Sequence, residues 1–384
     1  MTPAARISAA IEVLDLIQSG QTAEQALSGW GRSHRFAGSK DRAAIRDHVF
    51  DALRRLRSSQ VLGGGTDGRS IMIGLLRGQG VEPGDLFTGE GHAPAPISDA
   101  ERSRFATAEG CVALDCPDWA YEEFRAGLGA DTDQILERLR HRAPVFLRAN
   151  LARCTRDEAI AALAREGVVA RPHSLASSAL EVIENPRKVA GSEAYRTGLV
   201  ELQDAASQAL VECLGITPGM RVLDYCAGGG GKALAMAALG AEVVAHDISP
   251  RRMKDLPERA RRAGGHIQTC ATTDLAALPK FDLVLADAPC SGSGSWRRDP
   301  QGKWHMSAER LTEIQSIQRS ILKEIPKFVC PGGVMAYATC SLFASENEDQ
   351  IATVERDWAL RSKRQYTPLD GGDGFFVALL TRES

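Results

Sequence analysis

The 384-residue chain lacks the cysteine patterns that hold metal ions or disulfide frameworks. Its nine cysteines are an odd number, with no Cys-x-x-Cys pair and no Cys/His cluster at zinc spacing. No apolar run is long enough to span a membrane, and the N-terminal residues show no signal-peptide core. These absences predict a cytoplasmic protein with reduced thiols, no structural metal and no membrane segment.

The chain also lacks an excess of basic residues. Lys and Arg number 46 and Asp and Glu number 49, which gives a formal net charge of −3. A polyanionic partner would therefore be held by a local patch rather than by the chain as a whole. The densest basic stretch runs from Arg138 to Arg156. Most of these arginines are typical of solvated helix faces, and Arg148 is our candidate for contact with phosphates.

The pattern of apolar residues divides the chain into four regions. Residues 1–82 repeat apolar side chains at helical spacing, and residues 83–114 form a linker rich in Gly and Pro. Residues 115–202 alternate helix and strand patterns, which indicates a small α/β module. Residues 203–384 read as strand, loop and helix in succession, the pattern of a doubly wound α/β domain. Its strands are predicted at 221–225, 242–246, 281–286, 334–338 and 375–380.

A glycine-rich turn follows the first of these strands. It contains Cys226, Ala227, Gly228, Gly229, Gly230, Gly231 and Lys232. Such a turn brings backbone N–H groups close to a ligand, but Ala233 stands where a triphosphate-binding loop has Ser or Thr. Asp247 ends the next predicted strand, at a spacing suited to ribose hydroxyls, and Asp274 follows a third strand, where it could meet an adenine edge. The set predicts a nucleoside cofactor, either NAD or S-adenosylmethionine.

Two cysteines follow later strands of the same domain. Cys290 lies in Asp287-Ala288-Pro289-Cys290, and Cys340 lies in Thr339-Cys340-Ser341. The carboxyl ends of parallel strands share one edge of a sheet, so we expect both thiols at that edge. A free cysteine is more often a buried packing residue, and we interpret the other seven cysteines mainly in that way.

Paired thiols suit methyl transfer to C5 of a pyrimidine. Because C5 is a poor nucleophile, a thiolate added at C6 would push electron density onto it. Asp287 is placed to act as the acid at N3, and a base must later remove the C5 proton so that the thiol can leave. This chemistry favours S-adenosylmethionine over NAD.

With these motifs, the chain resembles the RsmB/Nop2/Sun family of RNA cytosine-5 methyltransferases over nearly its full length. The segments that carry the resemblance are Gln203-Asp204, Asp224 to Lys232, Asp287 to Gly294, Arg297 to Pro300, Thr339 to Ser341 and Glu346 to Glu348. It implies a Rossmann-like class I methyltransferase domain, preceded by a helical NusB-like domain (1–82) and a small α/β RNA-positioning module. One departure is the absence of the family's loop proline, which should loosen the loop and bear on cofactor affinity.

The resemblance also implies roles for individual residues. It makes Cys340 the attacking thiol, assigns product release to Cys290, and places Lys232 and Asp287 around the methyl group and target base. The second thiol points to RNA rather than DNA, with ribosomal RNA as the expected substrate of a monomer. We expect phosphate contacts from Arg297 and Arg298. The alternatives are a tRNA- or DNA-directed cytosine methyltransferase and a non-catalytic, cofactor-binding ribosome-assembly factor.

Overall fold

The computed structural model describes residues 1–104 and 106–382. Phe105 of the predicted linker and Glu383 and Ser384 of the predicted methyltransferase domain lie outside the described residues. Two compact units divide the chain. The helical unit comprises Met1–Arg125, Ala130–Arg142 and Trp296–Ser307, and the sheet unit comprises Ala126–Gly129, Ala143–Ser295 and the residues from Ala308 onward.

The helical unit packs its amphipathic helices around one apolar core. Its main helices repeat apolar residues every three or four positions, so each buries one stripe. Ile7, Leu14, Ile45, Val49 and Ile71 are almost fully buried in that core. The helices are Pro3–Gln18, Ala23–Ser33, Ser39–Arg54, Leu56–Gly63, Gly68–Gly78, Asp99–Ser103, Gly110–Ala113, most of Asp118–Leu128, Thr132–Leu139 and Pro300–His305.

The predicted linker, residues 83–114, contains short helices and core residues. A 3₁₀ turn at Pro83–Asp85 leads to Phe87, which is buried in the helical core together with Ile97. The helical character predicted for residues 1–82 is observed, whereas the likeness to NusB and the boundaries at 82, 114 and 202 stay predictions.

The sheet unit begins with a small antiparallel sheet. Its strands are β1 (Val145–Ala149), β2 (Val169–Pro172), β3 (Ala179–Glu184) and β4 (Val200–Leu202), in the order β2-β3-β1-β4. Helix Arg156–Arg165 connects β1 to β2, and Thr155 and Glu158 form a capping box at its start.

A seven-stranded sheet forms the rest of this unit. Its strands are β5 (Arg221–Asp224), β6 (Glu242–His246), β7 (Gln268–Cys270), β8 (Phe281–Asp287), β9 (Val329–Thr339), β10 (Ala359–Tyr366) and β11 (Phe375–Thr381). The order is β10-β11-β9-β8-β5-β6-β7, with β11 antiparallel to both of its neighbours and all other pairs parallel. Helices of the unit are Glu193–Arg196, Ala205–Cys213, Gly231–Ala238, Leu256–Arg262, Ala308–Glu324 and Glu348–Ala352.

This sheet confirms the predicted α/β fold, because it is parallel except at one edge, with helices between its strands. The predicted strands are all present, and the fourth is longer than predicted because β9 begins at Val329. Strand β10 was not predicted, since its sequence ALRSKRQY is charged and mostly exposed at the sheet edge. In the part of the chain that the structure describes, no helix could span a membrane.

Candidate active site

The two thiols predicted from the sequence lie side by side. Strands β8 and β9 pair in parallel with Asp287 opposite Ala338, so the loops that follow them leave the sheet at the same edge. The Sγ atoms of Cys290 and Cys340 are 3.3 Å apart. Both side chains are half-buried, which leaves them accessible to a substrate.

The surroundings of the two thiols differ in charge. The hydrogen bond between the two thiols lowers the pKa of Cys340, and so does the charge of Lys232, whereas burial and the charge of Asp287 oppose this effect. That same hydrogen bond, burial and the charges of Cys340 and Glu346 raise the pKa of Cys290 well above its ordinary value. These two directions favour Cys340 as the thiol that ionises first, and its role as the attacking thiol stays a prediction.

Lys232 and Asp287 form an ion pair beside the thiols. Lys232 Nζ lies 2.6 Å from Asp287 Oδ2, and the lysine side chain is only 10% exposed whereas that of Asp287 is 30% exposed. Burial alone would lower the pKa of Lys232, but the charge and hydrogen bond of Asp287 raise it. Lys232 also lies over the Phe375 ring, with Nζ 5.1 Å from its centroid. The lysine thus remains charged and holds the carboxylate in place.

The glycine-rich turn is shaped by backbone conformations that other residues rarely adopt. Gly228 has φ = 53° and Gly230 has φ = 80°, and a Cβ atom at Gly230 would lie 2.3 Å from Leu256 Cδ1. The turn closes directly onto helix Gly231–Ala238, and Lys232 is the second residue of that helix. The conformation therefore aims Lys232 at Asp287.

A cavity of about 690 Å³ opens beside this turn, and residues of the sheet edge and of helix Ala308–Glu324 line it. Tyr225, Cys226, Asp247 and Pro289 contribute from the sheet edge. Ile248 adds an apolar surface that is 88% exposed. A cavity of this size, with apolar walls and a few polar groups, suits a nucleoside ligand.

Asp224, at the end of β5, is an unusual buried acid. It is 1% exposed and neither carboxylate oxygen has a hydrogen-bond partner. Burial, and then the charge of Asp287, raise its pKa to about 7. Asp224 directly precedes Tyr225 and Cys226, which line the cavity, and a buried acid without a partner fits a cationic group of a molecule bound there. S-adenosylmethionine carries such groups, so these residues fit the predicted cofactor.

The predicted cofactor residues divide into two groups. Cys226 and Asp247 line the cavity, and Asp247 Oδ2 accepts hydrogen bonds from the Gly228 amide at 2.9 Å and from Arg252 at 3.0 Å. Asp274 is exposed, lies four residues after β7, and is not among the cavity's lining residues. The sequence patterns did not single out Ile248. Its position directly after Asp247, the acidic residue that follows β6, was the feature that could have indicated it.

The predicted RNA-contacting arginines differ in exposure. Arg148 is 5% exposed and donates to Gln203 Oε1 at 2.6 Å and to the Gly231 carbonyl at 3.0 Å, so it braces the glycine-rich turn. Arg297 is also buried, whereas Arg298 is exposed. Within the helical unit, Arg298 lines a cleft of about 150 Å³ with Arg46, Asp47, Phe50, Asp51, Arg54 and Arg142. Phosphate contacts of all three predicted arginines stay predictions.

The strand order, the antiparallel strand β11, the glycine-rich turn and the acid at the end of β6 define a class of protein. The chain has the fold of a Rossmann-like, S-adenosylmethionine-dependent methyltransferase. Residues 211–381 match the family model described as 16S rRNA methyltransferase RsmB/F, and residues 116–190 match the ferredoxin-like domain of that family. The chain belongs to the RsmB/F family of methyltransferases.

Curated relatives carry the name ribosomal RNA small subunit methyltransferase B. The protein from Serratia proteamaculans is 31% identical over 284 residues, which cover 69% of this chain and 66% of that protein. The protein from Photorhabdus laumondii is 33% identical over 285 residues, with the same two coverages. The chain therefore spans about two thirds of the length of these relatives.

Solved structures share the fold. The crystal structure of PH0851 has a TM-score of 0.78 and 21% identity, and the match covers 100% of this chain and 99% of that one. A methyltransferase homologue protein from Pyrococcus horikoshii has a TM-score of 0.62 and 22% identity, with 71% and 97% coverage. In the described residues, no group of three or more His, Cys, Asp and Glu side chains could hold a metal ion.

Proposed function

We propose that this protein is an S-adenosylmethionine-dependent RNA cytosine-5 methyltransferase that acts on small-subunit ribosomal RNA. The observation that carries the proposal is the thiol pair, with Sγ atoms 3.3 Å apart and different charges around each. Transfer of a methyl group to oxygen or nitrogen needs no thiol, whereas transfer to C5 of a pyrimidine needs a nucleophile at C6 and a group that permits release. The names of the curated relatives support ribosomal RNA as the substrate.

In the proposed reaction, the Cys340 thiolate adds to C6 of the target cytosine. The π electron pair of the C5–C6 double bond would move toward C5, which would take the methyl group of S-adenosylmethionine and leave S-adenosylhomocysteine. Asp287 would stabilise the adduct at N3 as a protonated acid, and Lys232 can supply that proton across their 2.6 Å hydrogen bond. A base, for which solvent water is available, would then take the C5 proton, the C5–H electron pair would restore the C5–C6 double bond, and the Cys340 thiolate would leave, with Cys290 required for this release. The target base is presented unstacked, because a thiol cannot reach a base inside a helix.

We further propose that the protein acts as a cytoplasmic monomer. Small-subunit ribosomal RNA is found in the cytoplasm, which fits the relatives' names. Phosphate binding would fall to local arginines, since the net charge of −3 gives the chain no overall attraction to RNA. Size-exclusion chromatography with light scattering tests the oligomeric state, and a mass of twice 41.2 kDa would contradict it.

The trapping experiment uses Cys290→Ala. The variant is incubated with S-adenosylmethionine and an unmodified transcript of small-subunit ribosomal RNA, and the mixture is run on a denaturing gel. Because release needs Cys290, we expect a covalent protein–RNA band. The double variant Cys290→Ala/Cys340→Ala should give none. Sequencing of the trapped RNA would identify the nucleotide.

Two results would contradict the proposal. A band that needs Cys290 rather than Cys340 would exchange the roles of the thiols. If the wild type binds S-adenosylmethionine but leaves no 5-methylcytosine in the transcript, as judged by nucleoside mass spectrometry, the ribosomal RNA assignment fails. The same assay on tRNA and DNA then distinguishes the remaining substrates from a non-catalytic role.

A further inference from the structure

One carboxyl group, that of Glu346, lies between the two loops that carry the thiols. The residue is fully buried. Its Oε1 accepts hydrogen bonds from the Ser291 amide at 2.8 Å and from Gln318 Nε2 at 3.0 Å. Its Oε2 accepts from the hydroxyls of Ser291 and Ser341, each at 2.5 Å. Four donors therefore converge on a single buried acid.

These donors belong to the residues next to the thiols. Ser291 directly follows Cys290, and Ser341 directly follows Cys340. Gln318 also donates to the carbonyl of Pro289 at 2.9 Å, on the other side of Cys290. Glu346 thus fixes the backbone after each thiol, and Gln318 extends the connection to the residue before Cys290.

The hydrogen-bond directions suit an ionised Glu346. The Ser291 hydroxyl accepts from the Ser293 amide at 3.2 Å, and the Ser341 hydroxyl accepts from the Phe343 amide at 3.0 Å. Both hydroxyl protons are consequently free to point at Glu346. Burial raises the pKa of Glu346 above its ordinary value, although the hydrogen bonds from the two serines and from Gln318 reduce that rise. Among the described residues no ion pair includes Glu346, so fixed dipoles alone balance its charge.

We propose that Glu346 is a positioning residue that determines which of the two thiols becomes the nucleophile. The inference rests on the proposed function, in which Cys340 attacks. Glu346 acts through the loops, by fixing the residue after each thiol, and through its negative charge, which raises the pKa of Cys290. Cys290 therefore keeps its proton and donates it to Cys340. The charged groups that act on Cys340 are instead Asp287 and Lys232.

Alkylation of the thiols tests this role without RNA or cofactor. The full-length protein is treated with limiting iodoacetamide, and peptide mass spectrometry gives the ratio of labelled Cys340 to labelled Cys290. In the wild type Cys340 should dominate, because the thiolate is the reactive form. In Glu346→Gln we expect the ratio to fall about tenfold, the change in thiolate fraction that one pKa unit produces. An unchanged ratio in the folded variant would overturn the proposal.

Matched controls separate positioning from loss of structure. Glu348→Gln makes the same chemical change two residues away, at a partly exposed carboxylate paired with Lys363, and should leave the ratio unchanged. Cys270 is buried, so an increase in its labelling would show that the sheet unit has loosened. If Glu346→Gln does not fold, Ser291→Ala removes one donor and keeps the charge. A smaller decrease is then expected, and no decrease would count against the proposal.

Labelling of the thiols, combined with the methylation and trapping assays on the same proteins, distinguishes this inference from the proposed function. If the labelling ratio falls but the wild type methylates no RNA, the role of Glu346 in thiol ionisation holds and the assigned reaction fails. If Cys290→Ala traps RNA through Cys340 but the labelling ratio of Glu346→Gln equals that of the wild type, the assigned reaction holds and the positioning role fails.

Discussion

At the scale of single residues, Asp224 has the surroundings least suited to a charge. It is 1% exposed, has no hydrogen-bond partner for either carboxylate oxygen, and has its pKa raised from 3.8 to about 7. In the unfolded chain this carboxyl ionises near its ordinary pKa, whereas in the folded chain it stays protonated until about pH 7. The stability that depends on the protonated form is complete below pH 3.8 and falls as the pH rises toward 7.

We therefore expect Asp224→Asn to stabilise the cofactor-free protein at pH 8 and to have little effect at pH 4. The free energy of unfolding at pH 8 should rise by roughly 2 kcal/mol. This is less than the full pKa shift would give at about 1.4 kcal/mol per pKa unit, because the new amide also lacks hydrogen-bond partners. Binding of S-adenosylmethionine should weaken, since the variant loses the negative charge. Thermal unfolding at both pH values, with and without cofactor, provides the measurement. Equal stabilisation at both pH values would contradict the charge argument.

A second prediction concerns the nucleophile. Cys340→Ala should abolish methylation while leaving binding of S-adenosylmethionine near that of the wild type, because Cys340 is not among the residues that line the cavity. Calorimetry and a methyl-transfer assay measure the two properties. Cys330→Ala, which changes a thiol outside the site, is the control. Full activity of Cys340→Ala would contradict the assigned role.

At the scale of structural elements, the glycine-rich turn combines two constraints at one position. Gly230 has a positive φ and lies where a Cβ atom would meet Leu256. Gly229, its neighbour, has no positive φ, and a Cβ there would meet only the flexible end of Arg259, 3.3 Å away. The two positions therefore form a matched pair in the same turn.

Gly230→Ala should weaken S-adenosylmethionine binding by about tenfold or more, because roughly 1–2 kcal/mol of backbone strain and a steric clash displace the turn. Gly229→Ala should bind S-adenosylmethionine with a Kd within about threefold of the wild-type value, a difference of less than about 1 kcal/mol in binding free energy. Calorimetric titration of both variants makes the comparison. Equal losses in the two variants would show that the turn tolerates no side chain, rather than that Gly230 needs its conformation.

At the scale of the whole molecule, the net charge of the protein and the charge of its proposed RNA substrate are both negative. A chain of net charge −3 must bind RNA through patches whose local charge opposes its overall charge. The cleft around Arg298 brings four arginines and two aspartates together in the helical unit. It is the patch that we expect to meet phosphates.

RNA affinity should therefore fall steeply with salt. If Arg298 contacts a phosphate, Arg298→Ala should reduce the slope of log K against log salt by about 1. Arg102→Ala is the control, since Arg102 is an exposed arginine of the same unit near Asp99. Filter binding of the ribosomal transcript at several salt concentrations gives both slopes. An unchanged slope for Arg298→Ala would exclude a phosphate contact.

The sequence alone determined the fold class, the cofactor turn and the two candidate thiols. Apolar runs that end in polar turns are local patterns, and parallel strands place their carboxyl ends at one edge, so Cys290 and Cys340 could be expected there. The capping box at Thr155 is local in the same way, because its donors and acceptors lie within three residues of each other.

Only the tertiary structure decided what surrounds these residues. The 3.3 Å separation of the thiols, the convergence of four donors on Glu346 and the burial of Arg148 depend on contacts between segments far apart in sequence. Strand β10 was missed because an edge strand is defined by its partner and not by apolar alternation. Charge environment and burial are properties of the assembled fold, so a one-dimensional pattern cannot fix which thiol ionises or which arginine meets solvent.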